Sequence, residues 1–190
     1  MAKRKTMKTV ADLIRWTPYL SDEQIAQLKA VAVPLRIGRR EAPQSLANIS
    51  LEDLYQLEQI GAEKGVFFAI GSVLLGMTDK QTLKAPAMPM LGLRNMVVAE
   101  QERIAALFAQ LDREPSAAEV LAGVDKLNFG LFGLADWYAQ RMHITDHDEA
   151  FRTPWARIWQ CRKNDLESQE YKERLQKAER QLSQAGANAR

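Results

Sequence analysis

The sequence predicts an all-α fold: a single multi-helix domain of roughly six to eight helices, ending in a charged C-terminal helix, with at most one minor β-hairpin near Leu35. Three observations predict it. Apolar residues recur at three- and four-residue spacing through most of the 190 positions. Ser, Thr or Asp stands where helices would begin, at Ser21, Ser50, Ser116, Asp146 and Thr153. An apolar content of 46 % is enough to build a core and too high for general disorder. The expected organisation is a basic tail over residues 1–8, a helical core over 9–160, and a charged helix and tail over 161–190.

The elements follow in chain order. Thr9 to Trp16 can form a short helix that stops before Pro18, because proline disfavours helical backbone in its predecessor. Ser21, with Gln24 three residues later, reads as a capping box for a helix striped by Ile25, Leu28 and Val31 and ended by Pro34. Leu35 to Asn48 holds Gly38 and Pro43 and reads as a loop, with Leu35 and Ile37 as the one hint of a strand. Ser50 opens a helix whose face is Leu51, Leu54, Tyr55, Leu57 and Ile60, and Gly61 and Gly65 interrupt it. The run Val66 to Leu75 is apolar all round, which predicts a central buried helix, a buried strand being the competing assignment. Gly76 can end it in a left-handed position. Thr78 to Pro89, with Pro86 and Pro89, reads as a short turn and an irregular connection.

Leu91 to Leu111 is again strongly helical. Ser116 with Glu119 caps a short helix, and Leu127 to Met142 forms an aromatic-rich one carrying Phe129, Phe132, Trp137 and Tyr138. Gly130 and Gly133 would let another backbone approach it. The last helix begins at Thr153-Pro154 and packs through Trp155, Ile158 and Trp159. Beyond Asp165 its apolar stripe thins to Leu166, Leu175 and Leu182, and fraying is expected after about Ser183.

Function classes narrow by what is scarce. Two histidines and one cysteine leave little material for nucleophilic or metal chemistry. Cys161 reads as a small hydrophobe in a helical run. The glycines lack the spacing of a phosphate cradle, and Ser72 is not in a nucleophile elbow. His143 and His147 would share a face of a continuous helix, with Asp146, Asp148 and Glu149 beside them; a metal-dependent enzyme built there is one alternative. Against it, Asp146 with Glu149 also reads as a helix cap, and no third ligand cluster exists. The expectation is therefore no catalytic residue, no metal and no cofactor. No stretch reaches the roughly 20 apolar residues of a membrane span, so a cytoplasmic protein without a membrane partner is expected.

Charge is uneven. Residues 1–40 carry nine Lys/Arg against three Asp/Glu, a net +6, while the remainder is net −4. A nucleic-acid-binding role would use Lys3, Arg4, Lys5 and Lys8 with Arg36, Arg39 and Arg40 against backbone phosphates. The favoured reading is a partner protein. Trp155 and Trp159 could form a hot spot rather than a core anchor. Met88 and Met90, in the Met88-Pro89-Met90-Leu91 stretch, would be adaptable contacts if the prolines keep that segment extended. Tyr171 and the sparse leucines could meet a second copy of the chain.

One stretch carries a family resemblance. Ile49-Ser50-Leu51-Glu52-Asp53-Leu54, then an apolar helix ending in Leu74-Leu75-Gly76-Met77-Thr78-Asp79-Lys80-Gln81, then a further helix after a loop, resembles the tail assembly chaperones of long-tailed bacteriophages. The resemblance spans roughly residues 50–111, about one third of the chain. It implies a non-catalytic morphogenesis factor that binds a phage structural protein, the tape measure, and helps the tail tube assemble. It transfers no ligand-binding residue.

Overall fold

A computed structural model describes residues 7–112, 115–127 and 129–188, together with their side chains except at 125 and 185–188. Among the described residues the chain is mostly helical, with one small two-stranded antiparallel sheet. It divides between Ala106 and Leu107 into two compact units, each with its own packing.

The first unit opens with α1 (Val10–Trp16), capped by Thr9, whose hydroxyl accepts from Asp12 N–H while the Asp12 carboxylate accepts in return. A 3₁₀ turn over Thr17–Tyr19 accommodates Pro18, and α2 (Asp22–Lys29) starts at the expected Ser21–Gln24 capping box. β1 (Arg36–Ile37) and β2 (Arg40–Glu41) pair around Gly38, which is left-handed at φ +63°. α3 (Leu51–Lys64) begins at Ser50 and stops at Gly65, whose φ of +100° is open to glycine at little cost. Gly61 lies inside α3 without breaking it.

The apolar run is helical, as its all-round hydrophobicity suggests. α4 (Val66–Ala69) widens into a π-helical turn over Ile70–Leu74 and ends at left-handed Gly76. The reason for a bare Gly71 inside it is the next helix. Thr82 of α5 (Asp79–Lys84) is fully buried against Gly71, where any Cβ would overlap the threonine hydroxyl. That hydroxyl is satisfied by donating to the Thr78 carbonyl at 3.1 Å.

α5 corrects the expectation of an irregular connection. Thr78 and Gln81 form a capping box, and α6 (Ala87–Ala109) follows after two residues. Pro89 is no obstacle, because it sits in the first turn of α6, where the N–H it lacks would have had no intrahelical acceptor. The Met88–Leu91 stretch is therefore helix, not an extended segment.

Backbone pairing starts earlier than a tail ending at residue 8 would suggest. Lys8 C=O accepts from Ala87 N–H and Val10 N–H donates to Ala85 C=O, both at 3.0 Å, tying the start of α1 to the α5–α6 junction. Val10, Leu13, Leu46, Leu51, Ile70, Met90, Leu93 and Val97 are all essentially inaccessible. Burial of side chains this size contributes about 1.5–3 kcal/mol each.

Two residues of α6 explain how the loops lie on it. Gly92 has Ala32 C=O where its Cβ would be, so residues 31–34 cross directly over the helix. One turn on, Asn95 donates to the carbonyls of Leu28 and Lys29 at 2.8 and 3.3 Å, tying the end of α2 to α6. Glu100 then accepts from Ser45 Oγ at 3.1 Å, Leu46 N–H at 3.3 Å and Arg103 Nε at 2.9 Å. Its carboxyl is held below the usual carboxylate range, chiefly by Arg103, with Leu46 and Ser45 adding and burial opposing.

The second unit contains α7 (Ala117–Leu121), a 3₁₀ turn (Val124–Lys126), α8 (Gly130–Met142), α9 (His147–Arg152) and α10 (Trp155–Asn188). Trp155 and Ile158 are buried, and Trp159 Nε1 donates to Leu107 C=O at 3.0 Å. Arg141 of α8 reaches both carboxylate oxygens of Asp165 on α10, at 3.0 and 3.1 Å. Every described side chain from Glu167 to Gln184 is exposed, yet the helix runs on to Asn188, past the fraying expected after Ser183. Thr153 ends α9, its hydroxyl donating back to Glu149 C=O at 3.2 Å.

Candidate functional site: an apolar groove in the second unit

The local sequence around residues 116–134 builds a groove from short, sharply turned pieces. Ser116 and Glu119 cap α7 reciprocally, and left-handed Gly123 turns the chain at once into the 3₁₀ turn. Gly130, also at positive φ, starts α8. Gly133 has no side chain because the Phe129 ring stem occupies that place. It thus makes room for a side chain one turn back, not for another backbone.

These turns leave a groove of about 650 Å³, walled by Phe108, Leu111, Leu127, Phe129, Leu134 and Trp137. Two charged groups, Asp112 and Arg162, also line it. The Arg162 guanidinium stands 5.2 Å from the centre of the Trp137 ring, a cation–π arrangement. In the same stretch of chain, Val120, Leu121, Leu127, Phe129 and Phe132 are each more than half exposed, Leu121 at 91 %, and Leu127 and Phe129 line the groove. Of the four aromatics foreseen in this helix region, only Tyr138 is a core residue.

The histidines are placed by the same unit. His143 is the left-handed C-cap of α8 at φ +56°, so the helix ends there and does not carry His143 and His147 on one face. His147 begins α9, stacks on Phe132 at 5.1 Å, and contacts Asp136 Oδ1 through Nε2 at 2.9 Å. Asp146 caps α9, accepting from Asp148 N–H. Among the described residues no three His, Cys, Asp or Glu side chains converge as a metal set.

The other sequence-predicted residues are scattered. Met90 is fully buried and Trp155 is 2 % exposed, so both belong to cores and neither offers a contact surface. Trp159 is half-buried and tied to Leu107. Met88 is partly exposed beside Met7, Leu20, Leu28 and Val31. Tyr171 is exposed on α10. Arg36 pairs with Glu41 at 3.4 Å and Arg40 Nη2 donates to Gly76 C=O at 3.3 Å, while Arg39 is exposed. Lys3, Arg4 and Lys5 lie outside the described residues.

The groove residue Leu127 and the exposed Val120 and Leu121 are not singled out by the sequence. The available signal was the Phe129-Gly130-Leu131-Phe132-Gly133-Leu134 run, whose apolar side chains outnumber what one helix face can bury. Among the described residues, no helix is long and apolar enough to cross a membrane. Comparison with protein-family models, curated proteins and solved structures finds no match to this chain.

Proposed function

We propose that the protein is a non-catalytic binding or assembly factor whose second unit takes up an apolar segment of another protein. One observation carries this reading: five large apolar side chains, more than half exposed, lie within thirteen residues, and two of them, Leu127 and Phe129, line a groove that Phe108 and Trp137 also wall. Exposed apolar surface concentrated in this way costs solubility and is characteristic of binding surfaces. Phe129 and Trp137 are the side chains expected to supply most of the contact energy, and Arg162 favours an acidic residue flanking the bound segment. The resemblance of residues 50–111 to tail assembly chaperones makes a tape-measure protein the first partner to try.

The test is affinity capture with the full chain and with a Leu121→Ser, Phe129→Ser double variant, followed by a titration of each recovered partner. The reading expects a partner whose affinity falls about tenfold or more in the double variant and is unchanged in Met88→Ser. A partner bound equally by all three chains would remove the groove from the account. Recovery of nucleic acid alone, in a salt-sensitive manner, would replace it with the basic-surface alternative.

A further inference from the structure

The long helix α10 uses two opposite faces, and the change occurs near Glu167. At 3.6 residues per turn, Trp155, Ile158, Trp159 and Leu166 fall on one side, the side that packs on the second unit. Continued along the helix, that side carries Glu173, Lys177 and Arg180. The apolar residues of the exposed half, Tyr171, Leu175, Ala178 and Leu182, cluster about 180° away. Their spacing of four, three and four is the alternation of a heptad seam. All four are exposed, Leu182 at 75 %.

We propose that this seam pairs two copies of the chain as a short parallel coiled coil. The charges beside it select both the occupant and the direction. With Leu175 and Leu182 at the first core position of each heptad, Glu167 and Arg174 occupy the preceding flank and Lys172 and Glu179 the following one. In a parallel pair each preceding-flank residue faces the following-flank residue five positions on in the other helix. Glu167 then meets Lys172 of the second copy, and Arg174 meets Glu179 of the second copy. Each contact is repeated by the two-fold axis, so four opposite-charge pairs bracket the seam. Within one chain, Lys163–Glu167 at 3.7 Å and Glu170–Arg174 at 3.6 Å already hold two of these side chains along the helix. The second helix also meets no obstruction from the packed face, which lies on the far side of α10.

A seam this short gives a weak, concentration-dependent dimer. Sedimentation velocity on the full chain should show mass rising with concentration toward twice 21.5 kDa. Leu175→Glu with Leu182→Glu should keep it monomeric at every concentration, with unchanged helical circular dichroism because both side chains are exposed. Arg174→Glu should weaken the dimer by roughly tenfold, and adding Glu179→Arg should restore it. Leu182→Cys, in a Cys161→Ser background, should form an intermolecular disulfide under mild oxidation. A monomer throughout, or a dimer indifferent to the leucine changes, would overturn the proposal. An antiparallel pair would set Lys172 against Glu179 and Arg174 against Gln181. Tolerance of Arg174→Glu, or failure of the Leu182→Cys disulfide in a chain that still dimerises, would therefore overturn the parallel seam. The groove variants of the second unit should dimerise normally, which separates this test from that of the binding reading.

Discussion

The unit ending at Ala106 buries many more apolar residues than the unit beginning at Leu107, which leaves eight large described ones exposed against five in the first. Among the described residues seventeen buried apolar positions belong to the first and six to the second, and three of those six are alanines. In the first unit Asn95, Glu100 and Thr82 each satisfy a backbone group or hold a loop. In the second, Val120, Leu121, Leu127, Phe129 and Phe132 each stay more than half exposed. The difference teaches a division of labour: one unit invests its apolar surface in its own stability, the other keeps it available. Lower local stability in the second unit is the expected companion of that choice.

The largest effect should come from the first core. Leu93→Ala removes a side chain with no exposure at all and should cost about 2–5 kcal/mol in chemical denaturation. A loss under about 1 kcal/mol would mean that the core of α6 is not as tightly filled as its burial says.

Gly92→Ala should follow. The new Cβ would overlap the Ala32 carbonyl, a backbone atom that cannot rotate away, so we expect a cost of about 1–3 kcal/mol despite alanine's better helix propensity. Stabilisation by this substitution would show that the crossing at residues 31–34 is loose.

Glu100→Gln should cost about 1 kcal/mol near neutral pH by weakening charged hydrogen bonds at the surface of the unit. The sign of its pH dependence is fixed by the lowered carboxyl. A group more acidic when folded contributes stability above its unfolded pKa and loses it as pH falls through the folded one. The gap between wild type and variant should therefore close in acid, in denaturation series run from neutral to acid pH. A gap that widens on acidification would contradict the arrangement around Glu100.

The smallest effect is expected from the exposed apolar side chains of the second unit. Leu121→Ser with Phe129→Ser should change stability by no more than about 0.5 kcal/mol per site, because those side chains have little cover to lose. A loss as large as that of Leu93→Ala would erase the contrast between the units and return these residues to a core role.

What the sequence makes legible is local. Ser21, Ser50 and Ser116 announce their helices because each cap hydroxyl accepts from a backbone N–H only three residues on. The Thr78–Gln81 box carries the same signal and is obscured by Pro86 and Pro89, which suggest a break although proline in a first turn does not cause one. What is not legible is long-range. Gly92 is bare because of Ala32, Asn95 points at Leu28, and Glu100 holds Leu46, partners 54 to 67 positions apart where the hydrogen bonds are concerned. The groove fails to announce itself for another reason: a hydrophobic stripe looks the same in sequence whether another element covers it or nothing does. Met90 and Phe129 differ in burial, not in kind.

The placement of the four tryptophans has a spectroscopic consequence. Trp137, Trp155 and Trp159 all lie in the second unit and only Trp16 in the first, so intrinsic fluorescence reports mainly on residues after Leu107. Trp137 lines the groove beneath a guanidinium, an environment that an incoming apolar segment would change. The chain thus carries an indicator in the groove proposed to take up the partner segment, and the proposed binding would be followed by emission without attaching a dye.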